Sequence, residues 1–197
     1  MKRPWQLALG LAAALALPLA AHAQSVLPPP RVNRVLMEPY AGAFFDAGRD
    51  AGPDFGNAGV LAGVRLGYLA TPRLRVLGDL GYAQANRVAE AIVPGGHRAP
   101  IDARNFLATA GLELEAVPGQ VSGTFSLLGG VLWRSQELRS MSGENRDGYV
   151  TEGLLVPGVA LRTALTSRAD LRLGVSDYIA LGDARHNPAL TLGISFR

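Results

Sequence analysis

The chain has 197 residues, 48% of them hydrophobic and 18% charged, with 24 Gly, 13 Pro and no Cys. That length suits one domain with an ample core, and the lack of Cys excludes disulfide scaffolds, thiolate metal sites, haem c attachment and thiol nucleophiles. Charge is scarcer than the roughly 25% of soluble domains and Gly richer than their roughly 7%, and the formal charge of +3 is concentrated at the N-terminus.

Lys2 and Arg3 form a positive n-region, Leu7 to Leu19 an apolar run, and Ala21-His22-Ala23 a small-residue cleavage site before Gln24. This is the pattern of a secretory signal peptide, over residues 1–23. The apolar run falls short of the roughly 20 residues of a spanning helix, and Pro18 interrupts its end. Cleavage removes Lys2, the lone lysine, together with Arg3. The remaining 17 Arg and 16 acids give a net charge of +1. A basic footprint for nucleic acid is therefore not expected. Residues 24–35, with Pro28-Pro29-Pro30, are predicted as a Pro-rich periplasmic leader.

Eight runs of alternating apolar and small or polar residues follow, at about 36–48, 59–70, 74–85, 104–116, 121–136, 152–165, 169–181 and 188–197. Their period of two and their Gly, Val, Leu and aromatic content predict β-strands, and no helical period interrupts them. Short connections come at Thr71-Pro72-Arg73, around Pro118-Gly119 and around Thr166-Ser167-Arg168. Pro followed by Gly suits a type II turn, because Pro presets φ and Gly accepts a positive one. The other connections, 49–58, 86–103, 137–151 and 182–187, are longer and more polar. In an up-and-down meander, short turns then gather at one end and long loops at the other, the asymmetry of transmembrane barrels.

Strand four sets Phe106, Ala108, Ala110, Leu112 and Leu114 against Asn105, Thr109, Gly111, Glu113 and Glu115. Strand eight sets Leu190, Leu192, Ile194 and Phe196 against Thr191, Gly193 and Ser195. Three features turn the apolar face toward lipid. The polar face mixes charges with Gly, Ser and Thr, as a narrow interior requires, whereas the outside of a soluble lipocalin-like calyx would favour Lys and Glu. Aromatics fall near strand ends, Phe45, Tyr82, Phe106 and Trp133 toward the long loops and Tyr40, Tyr68 and Phe196 toward the short turns, predicting two interfacial girdles. The strands also reach the roughly 9–11 residues of a tilted crossing, and closing the sheet leaves no edge in hydrocarbon.

On these residues the sequence resembles small eight-stranded outer-membrane barrels of the OmpA/OmpX and opacity-protein kind. The C-terminus, Thr191-Leu192-Gly193-Ile194-Ser195-Phe196-Arg197, looks like the family's assembly signal, carried by Thr191, Gly193 and Phe196; Arg197 after the aromatic departs from the usual ending. The resemblance implies export through the inner membrane, insertion by the barrel-assembly machinery and residence in the bacterial outer membrane. Contact there with lipid and lipopolysaccharide follows.

With these phases the interior collects Arg65, Arg75, Arg134, Arg162 and Arg172 against Glu38, Asp46, Asp79, Glu113 and Glu115. The signs balance, as they must away from bulk water. The connection at 71–73 pairs Ala70 with Leu74 and so sets Arg65 opposite Asp79 as an ion pair, with Arg75 reaching Glu113 or Glu115 on the next strand. The turn at Pro118-Gly119 is expected to pair Val117 with Gln120, setting Glu115 beside Ser122 and Glu113 beside Thr124. Pro157 demands a bulge or a place near the rim, and Asp177 falls on the lipid face unless strand seven changes phase. Structural filling is the expected role of the cluster; a gated pore or proton path is the alternative.

No catalytic or metal site is predicted, and no cofactor. His97 and His186 are read as loop residues; His186 lacks a His-x-Ser arrangement, although Asp177 and Ser176 are near in sequence. The acids and amides of 49–58 and 137–151 lack EF-hand spacing. The expected fold is all-β, an eight-stranded antiparallel up-and-down transmembrane barrel over 36–197 and a monomer. Its expected role is structural or surface-interacting, through loops 86–103 and 137–151. A lipid A-modifying enzyme with a rim site near His186, or a soluble calyx, are the alternatives.

Overall fold

Residues that alternate between apolar and small or charged cannot bury both faces in one flat sheet, and here the sheet curls until it closes. The computed structural model describes residues 34–45, 58–92, 98–138, 146–182 and 184–196, without the side chains of 85–103 and 136–149. The strands are β1 (Val35–Phe45), β2 (Ala58–Leu69), β3 (Leu74–Ile92), β4 (Arg98–Val117), β5 (Val121–Leu138), β6 (Arg146–Ala164), β7 (Ala169–Ala180) and β8 (Arg185–Phe196). Each pairs antiparallel with its sequence neighbour and β8 pairs with β1, giving a closed eight-stranded barrel.

The chirality of pleating sorts the side chains. Val60, Leu66, Val76, Leu80, Leu112, Leu127, Leu173 and Leu192 stand exposed on the outer surface. Arg65, Arg75, Glu113, Arg162 and Arg172 are buried inside. At the turn end, the Thr71 hydroxyl accepts hydrogen bonds from the backbone of Arg73 and Leu74 (3.4 and 3.0 Å), and Thr166 accepts one from Arg168 (3.2 Å). Threonine thus closes two of the three short turns.

Strand length is uneven. β1, β2, β7 and β8 have 11–12 residues, whereas β3 to β6 have 18–20. β2 accompanies β3 only as far as Gly59–Ala85, and β7 accompanies β6 only to Ala180–Leu154. Beyond those points β3, β4, β5 and β6 stay paired, out to Ile92–Arg98 and Leu138–Arg146. A four-stranded wall therefore rises from one side of the rim. This corrects the expected loops: most of 86–103 and 137–151 is strand, with the tips 93–97 and 139–145 outside the described residues. Outside the bilayer both faces of a strand meet water, so the apolar alternation that marks a strand fades from the sequence. The first long connection, 46–57, also lies outside the described residues.

The β2–β3 register sets Arg65 opposite Asp79. The β4–β5 register differs from expectation by two residues: Glu113 faces Ser126 and Glu115 faces Thr124, with an irregularity between Glu115 and Val117. That irregularity absorbs residues the expected tight turn would have left in the ladder, and the even shift keeps every side chain on its face. Pro157 lies within β6 with no register change; the ladder to β7 passes from Leu155–Ile179 to Gly158–Ser176 and omits the proline. Asp177 keeps to the outer face, since β7 alternates without a phase change.

Inside, the ion pairs gather toward the short turns and most of the buried apolar side chains toward the rim, where Asn105, Arg134 and Asn187 are also buried. Phe44, Leu61, Leu107, Leu132, Leu154, Val156 and Tyr178 are buried together toward the rim, with Phe44 edge-on to Tyr178 at 5.9 Å between centroids. This layer was missing from the sequence reading, which expected a polar interior throughout.

The outer face defines a stability contrast along one strand. Leu80→Arg, in the middle of β3, is expected to lower unfolding free energy by about 2–4 kcal/mol, and Gln84→Arg, nearer the rim on the same face, by about 0–1 kcal/mol. Urea titration of vesicle-inserted protein measures both.

Candidate interior charge cluster and outer face

β1 delivers Glu38 and Tyr40 to the interior because both share the phase of Leu36 and Phe44. Tyr40 is thus not a girdle residue. Its hydroxyl donates to Asp79 Oδ1 at 2.7 Å, and its ring lies 5.1 Å from the Arg65 guanidinium carbon. The ring fits because Gly63 and Gly81 lie beneath it; a Cβ there would stand 2.5 and 2.8 Å from the tyrosine hydroxyl. Its position two residues from Glu38 was the signal for an inward face, outweighed by its place near a strand end.

Two carboxylates organise the cluster. Glu38 accepts from Arg65 at 2.7 Å and Arg162 at 3.2 Å, from the Ser195 hydroxyl, and lies 3.6 Å from Arg172. Glu113 accepts from Arg75 at 2.7 Å and Arg172 at 3.3 Å, with Arg162 at 3.1 Å. Arg65 also reaches Asp79 at 2.8 Å and Arg75 reaches Glu115 at 3.0 Å. Arg134 stands apart, its Nε donating to Asn105 at 3.0 Å. Asp46 lies outside the described residues, and Asp170, absent from the expected interior set, is buried beside the short turn. Among the described residues five arginines and five carboxylates are buried, so charge balances. Glu152, at the start of the expected sixth strand, and Arg185, expected in a loop, form a bridge of 2.8 Å nearer the rim.

Such an arrangement neutralises and fills; Glu38, Asp79, Glu113 and Glu115 are each oriented toward guanidinium groups, and the apolar layer lies between them and the rim. Among the described residues no three His, Asp or Glu converge as a metal site.

On the outer face Phe106, Trp133, Tyr68 and Phe196 are exposed, Tyr82 packs on Phe106 at 5.1 Å, and Phe45 is half-buried. Thr191 and Gly193 face inward and Phe196 outward; the Thr191 hydroxyl donates to the Gly174 carbonyl at 3.4 Å. His186 lies on β8 rather than in a loop, its Nδ1 2.6 Å from Asp177 Oδ2 on the outer surface. Ser176 is on the opposite face, beside Ser126 and Gly158, so the triad considered for these residues does not assemble. His97 lies outside the described residues.

No protein-family model matches the chain, and no curated protein matches its sequence. Solved structures do match its shape. Ail, the attachment invasion locus protein of Yersinia pestis, solved in complex with the heparin analogue sucrose octasulfate, superposes with a TM-score of 0.52 at 16% identity, covering 82% of this chain and 96% of Ail. Neisserial surface protein A gives 0.56 at 12%, covering 83% and 97%. The outer membrane protein OprG from Pseudomonas aeruginosa gives 0.55 at 12%, covering 82% and 94%. The fold is that of the eight-stranded outer-membrane β-barrels.

Removing one shared carboxylate isolates the cluster's contribution. Glu113→Gln is expected to lower stability by about 3–5 kcal/mol, because three buried arginines lose a counter-charge. Adding Arg162→Met should recover part of the loss, read by urea unfolding in vesicles.

Proposed function

We propose that this chain is an outer-membrane barrel, exported by the leader 1–23 and closed to solutes, that works as a surface-interaction protein through the wall raised by β3 to β6. The observation that carries the reading is a contrast among the described residues: the wall adds strand beyond the closed barrel over β3 to β6, while the interior beneath it is packed. An apolar outer belt with exposed leucines and valines suits a bilayer, since aqueous exposure of so much apolar surface is rare in monomeric soluble proteins. The aromatic residues Tyr82, Phe106 and Trp133 sit where the wall begins, consistent with an interface at that height.

The wall offers two kinds of recognition. Its outer strands β3 and β6 leave the barrel strands behind beyond Ala85 and Gly153, so among the described residues their backbone has no strand partner on one side. Its register also places Asn86, Asp102, Glu137 and Asp147 abreast on successive strands. The partners this reading favours are lipopolysaccharide beside the wall and a surface ligand at its tips, with the barrel acting as a monomer. Insertion by the assembly machinery through Thr191, Gly193 and Phe196 belongs to the same reading. Enzyme activity is not part of it: His186 and Asp177 pair with each other, and Ser176 points away from both.

Replacing 87–100 and 138–146 by short turns should leave heat-modifiable gel migration intact and abolish retention on immobilised lipopolysaccharide and heparin. In planar bilayers the full mature chain should give no stepwise conductance. Sustained single-channel currents, or a lipid A profile that changes with the protein and reverts with His186→Ala, would sink the reading.

A further inference from the structure

Three prolines lie in the closed part of the barrel: Pro39 in β1, Pro157 in β6 and Pro188 in β8. In an antiparallel ladder a residue aims its N–H and C=O at the same neighbouring strand, so the side on which pairing is missing shows where each lost donor pointed. Pro39 pairs with Val64 of β2, but toward β8 the ladder passes from Met37–Phe196 to Tyr40–Gly193. Pro157 pairs with Leu127 of β5 and is passed over toward β7. Pro188 pairs with Asp177 of β7, while pairing between β8 and β1 stops at Ala189–Phe44. Every missing donor therefore lies on one of two seams, β6–β7 or β8–β1. Between them, β7 and β8 are paired at every position from Ala169–Phe196 to Ala180–Arg185, and the Asp177–His186 contact ties the same two strands on the outer face.

The side chains across the seams are also unusual. Arg162 of β6 stands directly opposite Arg172 of β7, like charge against like charge. Glu38 and Glu113 lie within 3.6 Å of both guanidinium groups and hold them together. At the other seam Glu38 accepts the Ser195 hydroxyl at the position the backbone ladder omits. Glu38 thus bonds across both weakened lines.

We propose that the β7–β8 hairpin is a displaceable element of the barrel, bounded by two proline-interrupted seams and clasped by Glu38, which parts from β6 and β1 as a unit while β2 to β5 stay paired. Parting opens the wall of the barrel sideways, toward the membrane. Local opening of a cooperative unit with an interrupted perimeter needs less free energy than global unfolding and is read by hydrogen exchange.

The test is hydrogen exchange of the full mature chain in lipid nanodiscs, followed by mass spectrometry. Amides of 169–196 should exchange together and about tenfold or more faster than those of 105–134. The double variant Pro39→Val/Pro157→Val, whose side chains face outward and which restores one donor at each seam, should slow 169–196 toward the rate of 105–134. Glu38→Gln should accelerate 169–196 selectively. Equal protection of the two segments in the unaltered chain would overturn the proposal. So would a proline variant with unchanged exchange, or a Glu38→Gln variant that accelerates all strands alike. Should Glu38→Gln not fold, the unaltered chain and the proline variant still decide.

Discussion

A backbone amide in hydrocarbon has no water to bond, and leaving it unpaired costs several kcal/mol. Closure of the sheet meets that demand for β1 through β8 at once, and most other features follow from it. Eight strands make a narrow cylinder whose inward positions are too few and too close for open water. Whatever points inward must pack and must balance in charge. The cluster does both through two carboxylates, Glu38 and Glu113, shared among Arg65, Arg75, Arg162 and Arg172. Sharing ties the four arginines into one network, and guanidinium, with five donors in a planar fork, can serve two acceptors at once. The same narrowness explains Gly63 and Gly81: an inward tyrosine reaches Asp79 only if two neighbouring strands give up their side chains.

The interior is thus built in two chemistries stacked along the barrel axis, ionic near the short turns and aliphatic with Phe44 and Tyr178 near the rim. Together they set different tolerances: the aliphatic half accepts volume-conserving exchange, whereas the ionic half penalises loss of any shared partner.

Strand number, antiparallel order and the outward face were readable because they rest on period two and on where short turns fall. The pairing of Arg65 with Asp79 was readable because the connection 71–73 is too short to allow another register. What was not readable has physical reasons. The wall strands lost their alternation where lipid ends. Leu107, Leu128 and Leu132 point inward between outward apolar neighbours, so those stretches read as apolar on both faces and carried no phase. Tyr40 was assigned by its height when its phase with Glu38 was the stronger constraint. The β4–β5 register was missed because an irregularity beside Val117 has no residue-type signature of its own. Conversely, Pro157 and Asp177 stood out in the sequence, and both belong to the seam and the outer surface of β7.

The uneven strand lengths give the molecule a front and a back. A barrel with equal loops looks the same to a neighbour from any bearing in the membrane plane. Here the wall stands over β3 to β6 and leaves β7, β8, β1 and β2 low. A lipid or protein moving in the membrane plane meets long strands from one bearing and short ones from the other. Rotation about the membrane normal therefore distinguishes otherwise identical neighbours: two copies side by side present different edges according to their bearing.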